Sequence, residues 1–211
     1  MNIKVLGAAL SLALTAGTLL NANAQKVYKE GYFSFDTEVR GNPAHANDYF
    51  TPDSGAQVVT FGAGNFKALT DAKHDYLAIV LDIPVAGIKK AGIATPAEME
   101  QYEASLPTFT FTPTTETKVI SGFNCKKVIA KDTKTGKTYD TWITNDFTVP
   151  STAIVHYYAA IGGFPIQFTG FQQGQEISIT VKSITEGKAP AGTFVIGSDF
   201  EKGSLEDLNA Q

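Results

Sequence analysis

The run Gln175-Glu176-Ile177-Ser178-Ile179-Thr180-Val181-Lys182 decides the fold class. Ile177, Ile179 and Val181 share one parity, while Ser178, Thr180 and Lys182 share the other. Successive side chains of a strand point to opposite faces, so a period of two predicts a half-buried β-strand. Immediately upstream, Gln172-Gln173-Gly174 joins this strand to another over 164–171. Further out, 117–131 and 137–144 flank the polar turn Asp132-Thr133-Lys134-Thr135-Gly136, the pattern of a β-hairpin. A weaker pair, 56–61 and 65–70, meets at Gly62-Ala63-Gly64. Residues 76–83 are apolar on both faces and read as a central strand ended by Pro84. In 27–40, Val27, Phe33, Phe35 and Val39 oppose Glu30, Ser34, Asp36 and Glu38. Strand signals at this density predict a mainly β (α+β) domain built on an antiparallel sheet.

Helix signals are few. Thr95 as N-cap, Pro96 at the first helical position and Glu98 completing a Thr-x-x-Glu capping box start one helix, with Met99, Tyr102 and Leu106 on one face and Pro107 as its stop. A second helix is expected over 151–160. The segment 41–55 is rich in Asn, Pro, Asp and Gly and is expected to be an exposed loop. Threonines and prolines crowd 107–115, a stretch too short for an interdomain linker.

The amino terminus carries an export signal. Lys4 precedes an uncharged, largely apolar stretch from Val5 to Leu20, followed by Asn21-Ala22-Asn23-Ala24-Gln25. A basic start, an apolar middle and an Ala-x-Ala exit predict a signal peptide over 1–24, cleaved after Ala24. The apolar stretch is short of the roughly 20 residues that span a bilayer, so no integral membrane anchor is expected after cleavage. The remaining residues, 25–211, are read as a single domain. Gln25 is not the Cys that a bacterial lipoprotein needs at that place, so the protein is expected to be unlipidated, and periplasmic or secreted.

The full chain has a net charge of −4, and Lys4 is the only charge the signal peptide removes. A mildly acidic chain whose basic runs never exceed two residues (Lys89-Lys90, Lys126-Lys127) excludes the usual footprint of a nucleic-acid partner. The single cysteine, Cys125, cannot form an internal disulfide and reads as a buried small apolar residue.

Three apparent catalytic motifs fail. Thr135-Gly136-Lys137-Thr138 resembles the end of a phosphate-binding loop, but position 131 is Lys131 rather than the glycine required. Gly62-Ala63-Gly64 lacks the third glycine of a dinucleotide loop, position 67 being Lys67, and no Gly-x-Ser-x-Gly elbow occurs. His45, His74 and His156 are far apart and show no metal-ligand spacing. Asp36/Glu38 and Glu98/Glu100 read as solvated faces. The expectation is a non-enzymatic protein with no cofactor and no metal.

The aromatic content is the more informative excess, with 14 Phe, 8 Tyr and 1 Trp. Phe33, Phe35, Trp142, Phe164 and Phe168, with Ile177 and Ile179 from the alternating strand, are the candidates to line an apolar ligand cavity. The other reading of the same side chains is that they fill the core between sheet and helix.

Thr117-Lys118-Val119-Ile120-Ser121-Gly122-Phe123-Asn124-Cys125-Lys126-Lys127, continued by Tyr139-x-x-Trp142-x-Thr144, resembles an uncharacterised family of secreted Gram-negative domains. Gly163-Phe164-Pro165-Ile166 and Pro190-Ala191-Gly192-Thr193-Phe194 are similar to that family's later segments, whereas 40–115 has no counterpart. The resemblance implies a LolA/LolB-like fold, that of the outer-membrane lipoprotein carriers: a curved antiparallel sheet or incomplete β-barrel with one or two short helices packed in its concave face. The partner it implies is a lipid or lipoprotein ligand held there, on fold-level analogy. Two functions follow as expectations. One is a binding module with an apolar cavity between sheet and helix. The other is an envelope protein without a small-molecule ligand, acting through a strand edge or the 41–55 loop.

Overall fold

The computed structural model describes residues 25–39, 42–172 and 174–209. The expected signal peptide, 1–24, lies outside them. The first half of the chain forms β1 (Lys26–Val27), β2 (Gly31–Val39), β3 (Asn42–Phe50), β4 (Ser54–Phe61), β5 (Gly64–Asp71), β6 (Leu77–Ile83) and β7 (Ile88–Ile93), then helix α1 (Pro96–Ser105). The second half forms β8 (Phe109–Ile120), β9 (Phe123–Asp132), β10 (Thr138–Thr144), β11 (Phe147–Thr148), β12 (Phe164–Gln172), β13 (Gln175–Glu186), β14 (Glu201–Gly203) and helix α2 (Leu205–Asn209). Twelve strands make one curved sheet in the order β14-β7-β6-β5-β4-β3-β2-β13-β12-β10-β9-β8, antiparallel except where β14 joins β7. The two end strands do not pair, so the sheet is an open rather than a closed barrel. Strands β1 and β11 form a separate parallel pair.

The concave face carries the main core. Phe33 and Phe35 of β2, Ala46 and Phe50 of β3, Ile179 and Val181 of β13, and Ile166 and Phe168 of β12 are buried there with Val128, Ala130 and Ile143. The 147–161 segment covers them, and Tyr158 at its centre is fully buried, its hydroxyl donating to the Thr169 carbonyl at 2.9 Å. On the convex face, Ala56, Leu69, Ala78, Val80 and Ala91 form a smaller cluster under Phe194, Ile196 and Phe200. Lys67 holds that covering segment by donating to the carbonyls of Gly192 and Val195 at 3.0 and 3.1 Å.

Three expectations are corrected. The segment 41–55 is not an exposed loop: Asn42–Phe50 is the interior strand β3, paired with β2 and β4. Its inward positions include Ala44, Ala46 and Phe50, and alanine signals burial weakly, so the turn-forming residues between them dominated the reading. The stretch 117–131 is not one strand. It folds back at Ser121-Gly122, both with positive φ (+51° and +85°), between β8 and β9. Two consecutive positive φ values are those of a type I′ hairpin turn. Finally, 151–160 is not an α-helix but two 3₁₀ turns, Ser151–Ala153 and His156–Tyr158. The β-branched and aromatic run Ile154-Val155-His156-Tyr157-Tyr158 has low helix propensity, and the concave face holds it instead.

Helix α1 forms as expected. The Thr95 hydroxyl accepts from the Glu98 amide at 3.3 Å while the Glu98 carboxylate accepts from the Thr95 amide at 2.7 Å. None of its ten residues is buried, so α1 is a cover rather than a plug, and the plug is the pair of 3₁₀ turns. Among the described residues, no helix is long and apolar enough to cross a membrane.

Candidate functional site

Between the concave face and its cover lies a cavity of about 470 Å³, within the usual ligand-pocket range of about 300–1,000 Å³. Strand register builds its floor. Phe33 pairs with Asp48, Asp48 with Gln57, Gln57 with Ala68, and Ala68 with Ile79, a row running across β2 to β6. Asp48, Gln57, Ala68 and Ile79 line the cavity, as do Gly170 and Phe171 of β12 and Ile177 and Ile179 of β13. Gly170 is there because of close approach: a Cβ on it would meet Ile179 Cδ1 at 2.7 Å and Ile177 Cγ1 at 3.1 Å. The roof comes from Met99, Tyr102 and Glu103 of α1, Thr152 to Tyr157 of the 3₁₀ segment, and Leu205 and Leu208 of α2.

The apolar lining is interrupted by Asp48, Gln57, Glu103, two histidines, two threonines and four tyrosines. Asp48 is half-buried and faces the cavity. That burial pushes its carboxyl up from 3.8 to about 6, opposed only by a hydrogen bond from the Gln57 side chain. On the roof, His156 Nε2 lies 3.0 Å from Glu103 Oε2, with 32% and 39% of the two side chains exposed, which places the pair at the solvent rim. The His74 ring, in the β5–β6 turn, sits 5.5 Å from that of His156. Burial pushes the Tyr157 phenol well above its ordinary range, and its oxygen accepts from the Phe171 amide at 3.3 Å.

Polar clamps, not apolar burial, hold α1 over the cavity. Lys134 Nζ donates to the carbonyls of Ala104 and Leu106 at 2.8 and 2.6 Å. Glu98 Oε1 accepts from the Glu206 amide of α2 at 2.7 Å, and the Glu103–His156 pair closes the remaining side.

Of the seven side chains expected to line a cavity, Ile177 and Ile179 line this one. Phe33, Phe35, Phe164 and Phe168 are buried in the adjoining core, where Phe33 and Phe164 stack with centroids 4.1 Å apart. Trp142 is half-buried at the core's margin, with Lys118 Nζ 4.0 Å from its ring centroid. Asp48, Gln57, Glu103, His74 and His156 were not singled out as lining residues. Their meeting depends on strand order and on the roof, which no local spacing encodes. His45 sits elsewhere, on the convex face beside a second groove of about 410 Å³ with Tyr32, Ser34, Asn47, Tyr49 and Ser183.

The cavity has room and apolar surface for a hydrocarbon body, with acceptors and imidazoles at two places. Among the described residues its lining contains neither Ser nor Cys, and Cys125 is buried in the core, where burial pushes its thiol up. Among the described residues, no group of three or more His, Cys, Asp or Glu is placed to hold a metal ion.

No family model matches the chain, and no curated protein matches it. Among solved structures it is similar to PNGF-II in two space groups. For the C2 form, identity is 14% and the TM-score 0.49, over 86% of this chain and 32% of that one. For the P21 form, identity is 12% and the TM-score 0.48, over the same shares. The chain thus spans about a third of the PNGF-II chain. A likeness this remote fixes neither a fold family nor an activity.

Proposed function

We propose that this chain is a non-enzymatic binding module, periplasmic or secreted, that holds an apolar or acyl ligand between its open half-barrel and the cover of α1 and the 3₁₀ turns. The observation that carries the reading is the 470 Å³ cavity lined by Ile79, Met99, Ile154, Phe171, Ile177 and Ile179, under a helix that buries none of its own residues. A helix with so little apolar burial is weakly held and can move aside, which widens the way into the site. Filling the space with hydrocarbon removes apolar surface from water on both partners.

Displacement of a fluorescent apolar probe by ligands of increasing alkyl length tests this. Each added methylene is worth about 0.8 kcal/mol, so affinity should rise about fourfold per carbon until the cavity is full. Ala68→Phe, which projects a ring from the floor, should abolish probe uptake while the far-ultraviolet circular dichroism stays that of the parent. Uptake with unchanged affinity in Ala68→Phe, or no dependence on chain length, would contradict the proposal.

A further inference from the structure

We infer that Asp48 and Gln57 form a head-group site on the cavity floor, and that the ligand it selects is an amphiphile with a hydrogen-bond-donating, cationic head, an alkylamine rather than a fatty acid. The inference rests on the binding reading above and deepens it.

Position is the first argument. Asp48 and Gln57 are direct cross-strand partners, and they are the polar members of a floor row otherwise made of Phe33, Ala68 and Ile79. A carboxyl on such a wall is costly unless it is partnered. A carboxylate offers about four acceptor sites. The protein supplies a side-chain hydrogen bond from Gln57, and the group keeps surface toward the cavity. Because Asp48 lines the cavity, a donor on a bound ligand can use the acceptor capacity that Gln57 leaves.

Charge is the second argument. An ammonium head donates three hydrogen bonds and cancels the carboxylate's charge where water is scarce, so the pair is strong there. A fatty carboxylate would bring a like charge to the same wall. Turning it around does not help, because the rim also presents a carboxylate, Glu103, already paired with His156 at 3.0 Å. The remaining titratable side chains of the lining are His74 and the phenols of Tyr49, Tyr76, Tyr102 and Tyr157, and the raised tyrosines supply no negative charge.

The experiment is competition of dodecylamine, dodecanol and dodecanoic acid for a fluorescent apolar probe on the full chain. These ligands share a hydrocarbon length and differ only at the head. We expect the amine to displace the probe at least about tenfold more tightly than the acid, the size of a hydrogen bond to a charged group, with the alcohol between them. Asp48→Asn should collapse the amine preference, so that amine and acid displace the probe about equally, whereas Glu103→Gln should keep the preference. Equal binding of acid and amine by the parent, or an amine preference surviving Asp48→Asn, would overturn this inference and leave the cavity reading standing. A preference lost in Glu103→Gln alone would move the head to the rim and overturn it too. Displacement by none of the three would overturn the binding reading and this inference together.

Discussion

A carboxyl set into an apolar wall costs stability only while it is charged. In the folded chain Asp48 holds its proton up to about pH 6, against an ordinary value of 3.8. The folded state therefore binds the proton more tightly than the unfolded chain does. The cost is absent below 3.8, grows as the pH rises between the two values, and is complete above about 6. At about 1.4 kcal/mol per pKa unit, the full cost is of order 3 kcal/mol. Asp48→Asn should therefore stabilise the protein by up to about that much near pH 8 and by little near pH 4, measured by urea unfolding at both. A stability change independent of pH would show that Asp48 is solvated in the folded state. None of this was legible around position 48, where Asn47 and Asp48 sit among turn formers. Only the pairing of β3 on both sides turns Asp48 inward. Cys125 was legible, because an apolar neighbourhood on an alternating strand already implies burial, and it is 2% exposed.

At the scale of elements, strong local chemistry was readable and weak local chemistry was not. The capping box at Thr95 fixes the start of α1 whatever the tertiary context, and the strands over 77–83, 164–172 and 175–186 follow from hydrophobic runs and alternation. The β8–β9 turn was missed because its signal is a single Ser-Gly pair inside a continuing strand-like pattern. The 3₁₀ plug at 151–158 was missed because tertiary burial of Tyr158, not propensity, sets its form. Helix α1 carries the functional expectation at this scale. Held by its cap and by Lys134, it should open without global unfolding. Thr95→Ala costs about 1 kcal/mol of helix stability, and Lys134→Met removes two hydrogen bonds to the carbonyl end. Both changes should speed amide exchange over 96–106 and ligand exchange from the cavity, with the melting temperature nearly unmoved. A drop in melting temperature that matches the exchange would mean that α1 belongs to the cooperative core.

At the scale of the molecule, the sheet has two faces with different tasks. The convex face hides a small cluster under the 190–200 segment, while the concave face joins the large aromatic core to a cavity without breaking the sheet. The free edges are poorly made for recruiting another strand. Strand β14 has three residues, and β8 carries Pro113 next to an irregularity in its pairing with β9. A mainly β fold built on an antiparallel sheet was legible from periodicity, because alternation reports which face is buried, while an open barrel with helices over its concave side was implied only by the family resemblance. The cavity was legible only as an aromatic and aliphatic excess. Which side chains face the cavity depends on the roof: the four phenylalanines expected to line it pack into the core instead, while Ile177 and Ile179 face it.

The most direct test is where a ligand's hydrocarbon sits. Crystals of the full chain with an ω-brominated alkylamine would locate the bromine by its anomalous scattering. The account predicts one bromine peak inside the cavity, bounded by floor and roof side chains such as Ile79, Ile177 and Met99. Bromine in the convex groove beside Tyr32 and Tyr49, or an unchanged cavity with ligand bound elsewhere, would contradict it.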